Sequence, residues 1–185
     1  MRAAMIIFLS LVAATPSAFA QSDPPRGRIS GIIGTGKTWD DEGSLGTGVV
    51  AGGRVEWRLF GNTGIEGAFE GLTHDRSGGF FESEGASAML SVSLLHRFGP
   101  DKYQTYILEG VDLIHHSGTT RFNNLAFDRE STDGGFHLGV GFAVRVGERV
   151  EIGPEGRFYV LRAENGSDPA WANWIGMRVG WRINP

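Results

Sequence analysis

The sequence predicts an all-β protein: an eight-stranded antiparallel up-and-down transmembrane β-barrel, preceded by a cleaved signal peptide. Three observations predict it. The N-terminus has the form of an export signal. Apolar residues recur at every second position through much of the remaining chain, which is strand rather than helix periodicity. The segments between those stretches alternate between short and long.

The export signal comes first. Met1 and Arg2 make a short positive start, and Ala3 to Ala14 form an apolar run broken only by Ser10. Ala18-Phe19-Ala20 supplies the small-x-small pattern for cleavage after Ala20. A run of about 12 residues is too short to cross ~30 Å of hydrocarbon as a helix. No Cys follows the cleavage point, so no lipid anchor is expected there. The domain reading is residues 1–20 signal peptide, 21–26 short periplasmic leader and 27–185 barrel.

The strands follow in order. The first, 27–37, is glycine-rich and runs into a long connector. In the second, Ala51, Gly53, Val55, Trp57 and Leu59 oppose Gly52, Arg54, Glu56 and Arg58. In the third, 63–73, Ile65, Gly67 and Phe69 alternate with Glu66, Ala68 and Glu70. In the fourth, 86–98, Leu90, Val92, Leu94 and Phe98 share a face with His96. The fifth, 104–116, is the least regular: Leu108 and Gly110 suggest one face but Asp112 falls on it, so a bulge is expected there. The sixth is the clearest, with Phe136, Leu138, Val140, Phe142, Val144 and Val146 on one face. The seventh covers 150–162. In the eighth, Ile175, Met177, Val179, Trp181 and Ile183 oppose Trp174, Gly176, Arg178, Gly180 and Arg182.

The connectors at 60–62, 99–102 and 147–149 are tight turns, whereas those near 38–46, 74–85, 117–133 and 163–170 are long. Strict alternation is the pattern of an outer-membrane barrel, with short periplasmic turns and longer external loops. Aromatics gather near strand ends: Trp57, Phe60, Phe98 and Trp181 on the short-turn side, Trp39, Phe69, Phe136 and Trp171 on the other. Two such bands suit the two membrane interfaces. The apolar faces then point to lipid. The opposite faces carry a charge network expected inside the barrel: Arg54, Glu56, Arg58, Glu66, Glu70, Glu151, Glu155, Arg157, Arg178 and Arg182. The reverse orientation, a soluble periplasmic ligand-binding barrel with an apolar lumen, uses the same alternation.

Composition narrows the function. Seventeen basic and 21 acidic residues give a net charge of −4, which argues against a nucleic-acid binder. Cysteine is absent, so an exported domain of this size is expected to gain stability from barrel closure instead of disulfides. No cofactor or metal site is expected.

The signal peptide, the eight alternating strands, Gly139-Val-Gly-Phe142, Pro154-Glu155-Gly-Arg157-Phe-Tyr159 and the terminal strand together resemble the small outer-membrane β-barrel superfamily that includes the OmpA transmembrane domain and OmpX. The resemblance covers about residues 26–183. It implies residence in the outer membrane of a Gram-negative-type bacterium as a monomer, amid outer-membrane lipids and lipopolysaccharide. Gly176, Val179, Trp181 and Ile183 resemble the C-terminal signal read by the outer-membrane assembly machinery, with Ile183-Asn184-Pro185 where a final Phe is usual.

Two motifs suggest other chemistry. Gly31-Ile-Ile-Gly-Thr-Gly-Lys37-Thr38 spells a phosphate-binding loop, but turn residues follow it where a helix N-terminus should meet the phosphates. His115-His116-Ser117 contains a His-x-Ser pair. Lipid A 3-O-deacylases carry His-x-Ser-Asn late in the chain with a catalytic Glu; here the late strand Phe158–Glu164 has neither His nor Ser. The two adjacent histidines point to opposite faces of a strand, so only one can enter the lumen. The expected role is therefore structural or surface-interacting and not enzymatic. Four acidic external loops are presented, containing Asp40, Asp41 and Glu42; Asp75, Glu82 and Glu84; Asp128, Glu130 and Asp133; and Glu164 and Asp168.

Overall fold

The computed structural model describes residues 26–40, 43–78, 81–122, 125–162 and 170–183. Eight strands run in chain order: β1 Gly27–Asp40, β2 Gly43–Phe60, β3 Thr63–Gly78, β4 Phe81–Phe98, β5 Tyr103–Phe122, β6 Leu125–Val146, β7 Val150–Arg162 and β8 Ala170–Ile183. Each pairs antiparallel with the next, and β8 returns to β1 to close the barrel. Closure leaves no unpaired edge. The signal peptide, residues 21–25 and the connector residues Asp41, Glu42, Glu164 and Asp168 lie outside the described residues.

The three short turns carry glycines in the left-handed region: Gly61 at φ 50°, Gly99 at 96° and Gly147 at 70°. That conformation costs glycine nothing and lets each chain reverse within a few residues.

Outward positions are apolar on every strand, among them Ile33, Val55, Phe69, Leu90, Val111, Val140, Phe158 and Ile175. Exposed aromatics bound this belt, with Trp57, Phe60, Phe98, Tyr103 and Trp181 below and Phe69, Phe136 and Trp171 above. The Trp39 side chain lies outside the described set. The apolar faces thus point away from the lumen, opposite to what a soluble ligand-binding barrel requires.

Two expectations need correction. The long connectors near 38–46, 74–85 and 117–133 are mostly strand, and most of the one near 163–170 lies outside the described residues. β5 has 20 residues and β6 has 22, well beyond the roughly 9–11 that a tilted strand needs to cross a membrane. Beyond the apolar belt both faces of a strand are wet. The period-two signal then fades although the backbone ladder continues. The described acidic residues Asp75, Glu84, Asp128, Glu130 and Asp133 therefore sit on strand extensions.

The second correction concerns β5. It has no bulge near Asp112: the pairing runs in one register from Phe81↔Phe122 to Phe98↔Thr105 on one side and from Tyr103↔Val144 to Phe122↔Leu125 on the other. The register shifts lie between Thr38 and Trp39, and between Arg58 and Phe60. Gln104, Tyr106, Leu108, Asp112 and Ile114 all face inward in phase. Apolar Tyr106 and Leu108 fill the lumen, so hydrophobicity did not distinguish the two faces of this strand.

Candidate functional site

The lumen is layered. Nearest the periplasmic turns, Leu95, Tyr106, Leu108 and Ala143 form a small apolar cluster. Toward the external end, Ile32, Val50, Leu72, Met89, Ile114, Tyr159, Leu161 and Trp174 form a larger one. Charged side chains from seven strands, β1 to β5, β7 and β8, occupy the remaining space.

Glu56 on β2 faces Arg28 of β1 at 2.7 Å, Arg97 of β4 at 2.5 Å and Arg178 of β8 at 3.3 Å. Glu155 on β7 faces Arg54 at 2.5 Å and Arg157 at 2.8 Å, and accepts a hydrogen bond from the Tyr106 hydroxyl at 2.7 Å. Arg178 reaches Glu155 at 3.4 Å and Glu66 at 3.0 Å, and Arg157 also pairs with Glu66. Glu70 holds Arg54 at 2.5 Å and accepts from Tyr159 at 3.1 Å. At the periplasmic end Glu151 holds Arg28 at 3.0 Å, and Asp101 holds Arg182 at 2.8 Å and also Arg145. Guanidinium groups also stack on rings: Arg54 lies 5.2 Å from the Trp174 centroid, and Arg97 and Arg178 lie 5.0 and 5.3 Å from Tyr106.

The structure brings together nine of the ten charged residues named from the sequence; Arg58 is half-buried near the periplasmic turn, lining a small cavity with Asn62 and Asp101, outside these ion pairs. Sequence reasoning missed Arg28, Arg97, Asp101, Gln104 and both luminal tyrosines. Arg97 was legible, since Ser91, Ser93, Leu95 and Arg97 alternate with the outward Val92, Leu94 and His96. Asp101 carried no signal, because a turn has no phase.

Two histidine relays cross β4, β5 and β6. In the deeper one, Ser93 Oγ lies 2.9 Å from His137 Nε2, and His137 Nδ1 lies 2.9 Å from both Asp112 oxygens. It is wholly enclosed, with the Tyr159 ring 5.4 Å from the imidazole. Gly110 makes it possible: a Cβ there would stand 2.6 Å from His137 Cε1. In the outer relay, Ser87 Oγ lies 2.7 Å from His116 Nδ1, and His116 Nε2 lies 3.7 Å from Asp133 Oδ2.

The motifs singled out in the sequence fare differently. Gly31–Thr38 is central β1, paired with both β2 and β8, and no helix follows it. His115 and Ser117 both face outward and are not bonded to each other: His115 Nδ1 meets Thr132 Oγ1 at 3.0 Å, and Ser117 donates to the Ala86 carbonyl at 3.5 Å. In β8, Val179, Trp181 and Ile183 face outward while Gly176 lies on the luminal side.

Comparison with known proteins gives a consistent result. The profile of the family described as outer membrane protein beta-barrel domain matches residues 6–182. No curated protein sequence matches the chain. Among solved structures, Neisserial surface protein A superposes with a TM-score of 0.69 at 11% identity, covering 85% of this chain and 97% of that one. Ail, the attachment invasion locus protein of Yersinia pestis, gives 0.62 at 12%, covering 86% and 99%. A major outer membrane protein from Thermus thermophilus gives 0.57 at 17%, covering 85% and 99%. At these identities the likeness is one of fold.

Proposed function

The chain belongs to the outer-membrane protein β-barrel family, and on that premise we propose that it is a closed-lumen anchor that holds β-hairpins at the cell surface for interaction. It is an outer-membrane protein, so its apolar belt faces lipid.

The observation that supports this reading is the pairing of Arg and Glu across the barrel, as in Arg54 of β2 with Glu155 of β7 and Arg157 of β7 with Glu66 of β3. An eight-stranded barrel is narrow enough for side chains to fill. These occupy the cross-section that a solute path needs. Binding capacity then belongs to the surface, where β5 and β6 reach furthest.

Partners follow from chemistry. Outward Asp75, Glu84, Asp128 and Glu130 are exposed on the extensions. Divalent cations would bridge them to lipopolysaccharide phosphates, since such ions take carboxylate and phosphate oxygens together. In the same reading β8 is the segment recognised during membrane assembly, through Gly176, Val179, Trp181 and Ile183, and the barrel acts as a monomer.

Trypsin treatment of intact cells tests the surface role. Cleavage at exposed Arg121, close to the β5–β6 tip, is expected before cell lysis. Resistance of intact cells, with cleavage only after unfolding, would sink it. A lipid A hydrolase built on His115 and Ser117 is the weaker reading, because neither side chain is bonded to the other.

A further inference from the structure

We propose that Ser87, His116 and Asp133 form a nucleophilic acyl-transfer site at the external mouth of the barrel, acting on small carboxylic esters. The proposal rests on the barrel fold and is independent of the surface-interaction role.

Three adjacent strands supply the groups. Ser87 of β4 stands directly opposite His116 of β5, and His116 stands opposite Ser131 of β6, one inward position from Asp133. Ser87 Oγ is 2.7 Å from His116 Nδ1, so with Nδ1 as acceptor the proton of the neutral ring sits on Nε2. Nε2 faces Asp133 Oδ2 at 3.7 Å, and Ser131 Oγ donates to that same oxygen at 3.2 Å. A hydroxyl, a base and a carboxylate on the far side of the ring are the three roles of a nucleophilic triad, which is recognised by geometry and not by chain order. The contact to the carboxylate is long, as catalytic contacts often are without substrate.

Position separates this relay from the one beneath it. Ser93, His137 and Asp112 have the same connectivity, but the His137 and Asp112 side chains are 0% exposed and no substrate reaches them. At the mouth the His116 side chain is 25% exposed and Asp133 16%, while Ser87 itself is 5% exposed. Met89 and Ile114, the next inward residues below Ser87 and His116, are apolar. The polarity of the site therefore favours an ester whose acyl group is short and apolar, with the alcohol half toward water.

The chemistry balances without a further reactant besides water. Ser87 Oγ attacks the ester carbonyl carbon while His116 Nδ1 takes the hydroxyl proton. The C–O bond to the alcohol breaks, and the alcohol leaves with that proton. Water, deprotonated by the same Nδ1, then attacks the acyl-serine, releasing the carboxylic acid and restoring the hydroxyl. Asp133 is a positioning residue that holds the ring. Ladder hydrogen bonds occupy the strand N–H groups that could otherwise stabilise an oxyanion. Both steps pass through a tetrahedral oxyanion, so both are expected to be slow.

The test uses the full barrel folded in detergent, a fluorophosphonate probe and p-nitrophenyl acetate, with intact-mass and peptide mass spectrometry. The expected result is one covalent adduct on Ser87. It is lost in Ser87→Ala and slowed more than tenfold in His116→Ala. In Asp133→Asn it is slowed with a displaced pH profile, and in Ser117→Ala it is unchanged. An SDS heat-shift gel verifies that each variant is folded. A folded parent that forms no adduct, an adduct that survives Ser87→Ala, or equal rates in parent and His116→Ala would each overturn the proposal. The three side chains would then only tie strands together. Loss of labelling in Ser117→Ala would move the chemistry to the outer wall and overturn it equally.

Discussion

Glu155 touches three guanidinium groups and a phenol in a space closed to water. Its cost of burial is offset only while those partners remain. Replacing it with Leu leaves Arg54, Arg157 and Arg178 in the lumen with one carboxylate fewer. Removing one member of a buried ion pair typically costs about 3–5 kcal/mol. Urea unfolding of the Glu155→Leu barrel in lipid vesicles should show a loss of that order, and an unchanged midpoint would refute the view that Glu155 is a hub. Single residues also show where legibility stops. Arg54 and Arg58 look alike on the same strand face, but only Arg54 reaches carboxylates on other strands. His115 and His116 differ by one position. That step sends one outward and the other toward Ser87. The His-x-Ser reading picked the outward one because spacing along a strand says nothing about the strand beside it.

At the scale of the strand, glycine has two meanings. Inward Gly110 leaves room for the imidazole of β6 to cross β5 to Ser93, and inward Gly141 leaves room for the Tyr106 ring. Outward Gly53 has nothing within 4 Å of where a Cβ would stand. Gly110→Ala should therefore destabilise by about 1–3 kcal/mol, as overpacking does. Gly53→Ala should stay within about 0.5 kcal/mol, as for a substitution away from packed features. Thermal denaturation followed by the heat-shift gel compares them, and equal effects would contradict the assignment of faces. The positions of these strands were legible wherever one face met lipid. They were lost where the wall rose into water, and on β5 the phase was lost although the strand was placed, because Tyr106, Leu108 and Ile114 make the luminal face apolar as well.

For the whole molecule, closure and a filled lumen make two linked predictions. A barrel paired on every edge should resist unheated SDS and change mobility on boiling. Its Arg–Glu layer should leave planar bilayers without the stable conductance steps of an open pore. A persistent open channel in most recordings would show that the network yields a continuous water path and would remove the main support for a closed anchor. The sequence by itself determined the class of fold, the number of strands, most lipid-facing positions and nine of the luminal charges. All of these follow from a period-two pattern that acts within about ten residues of chain. Only the tertiary structure decided which charges meet, as in Arg28 and Glu151, which lie 123 residues apart. It alone also showed that β4, β5 and β6 align two serine–histidine–aspartate relays. The physical reason is closure: a strand's own sequence sets which face each side chain takes, but register around the ring sets what that face looks upon.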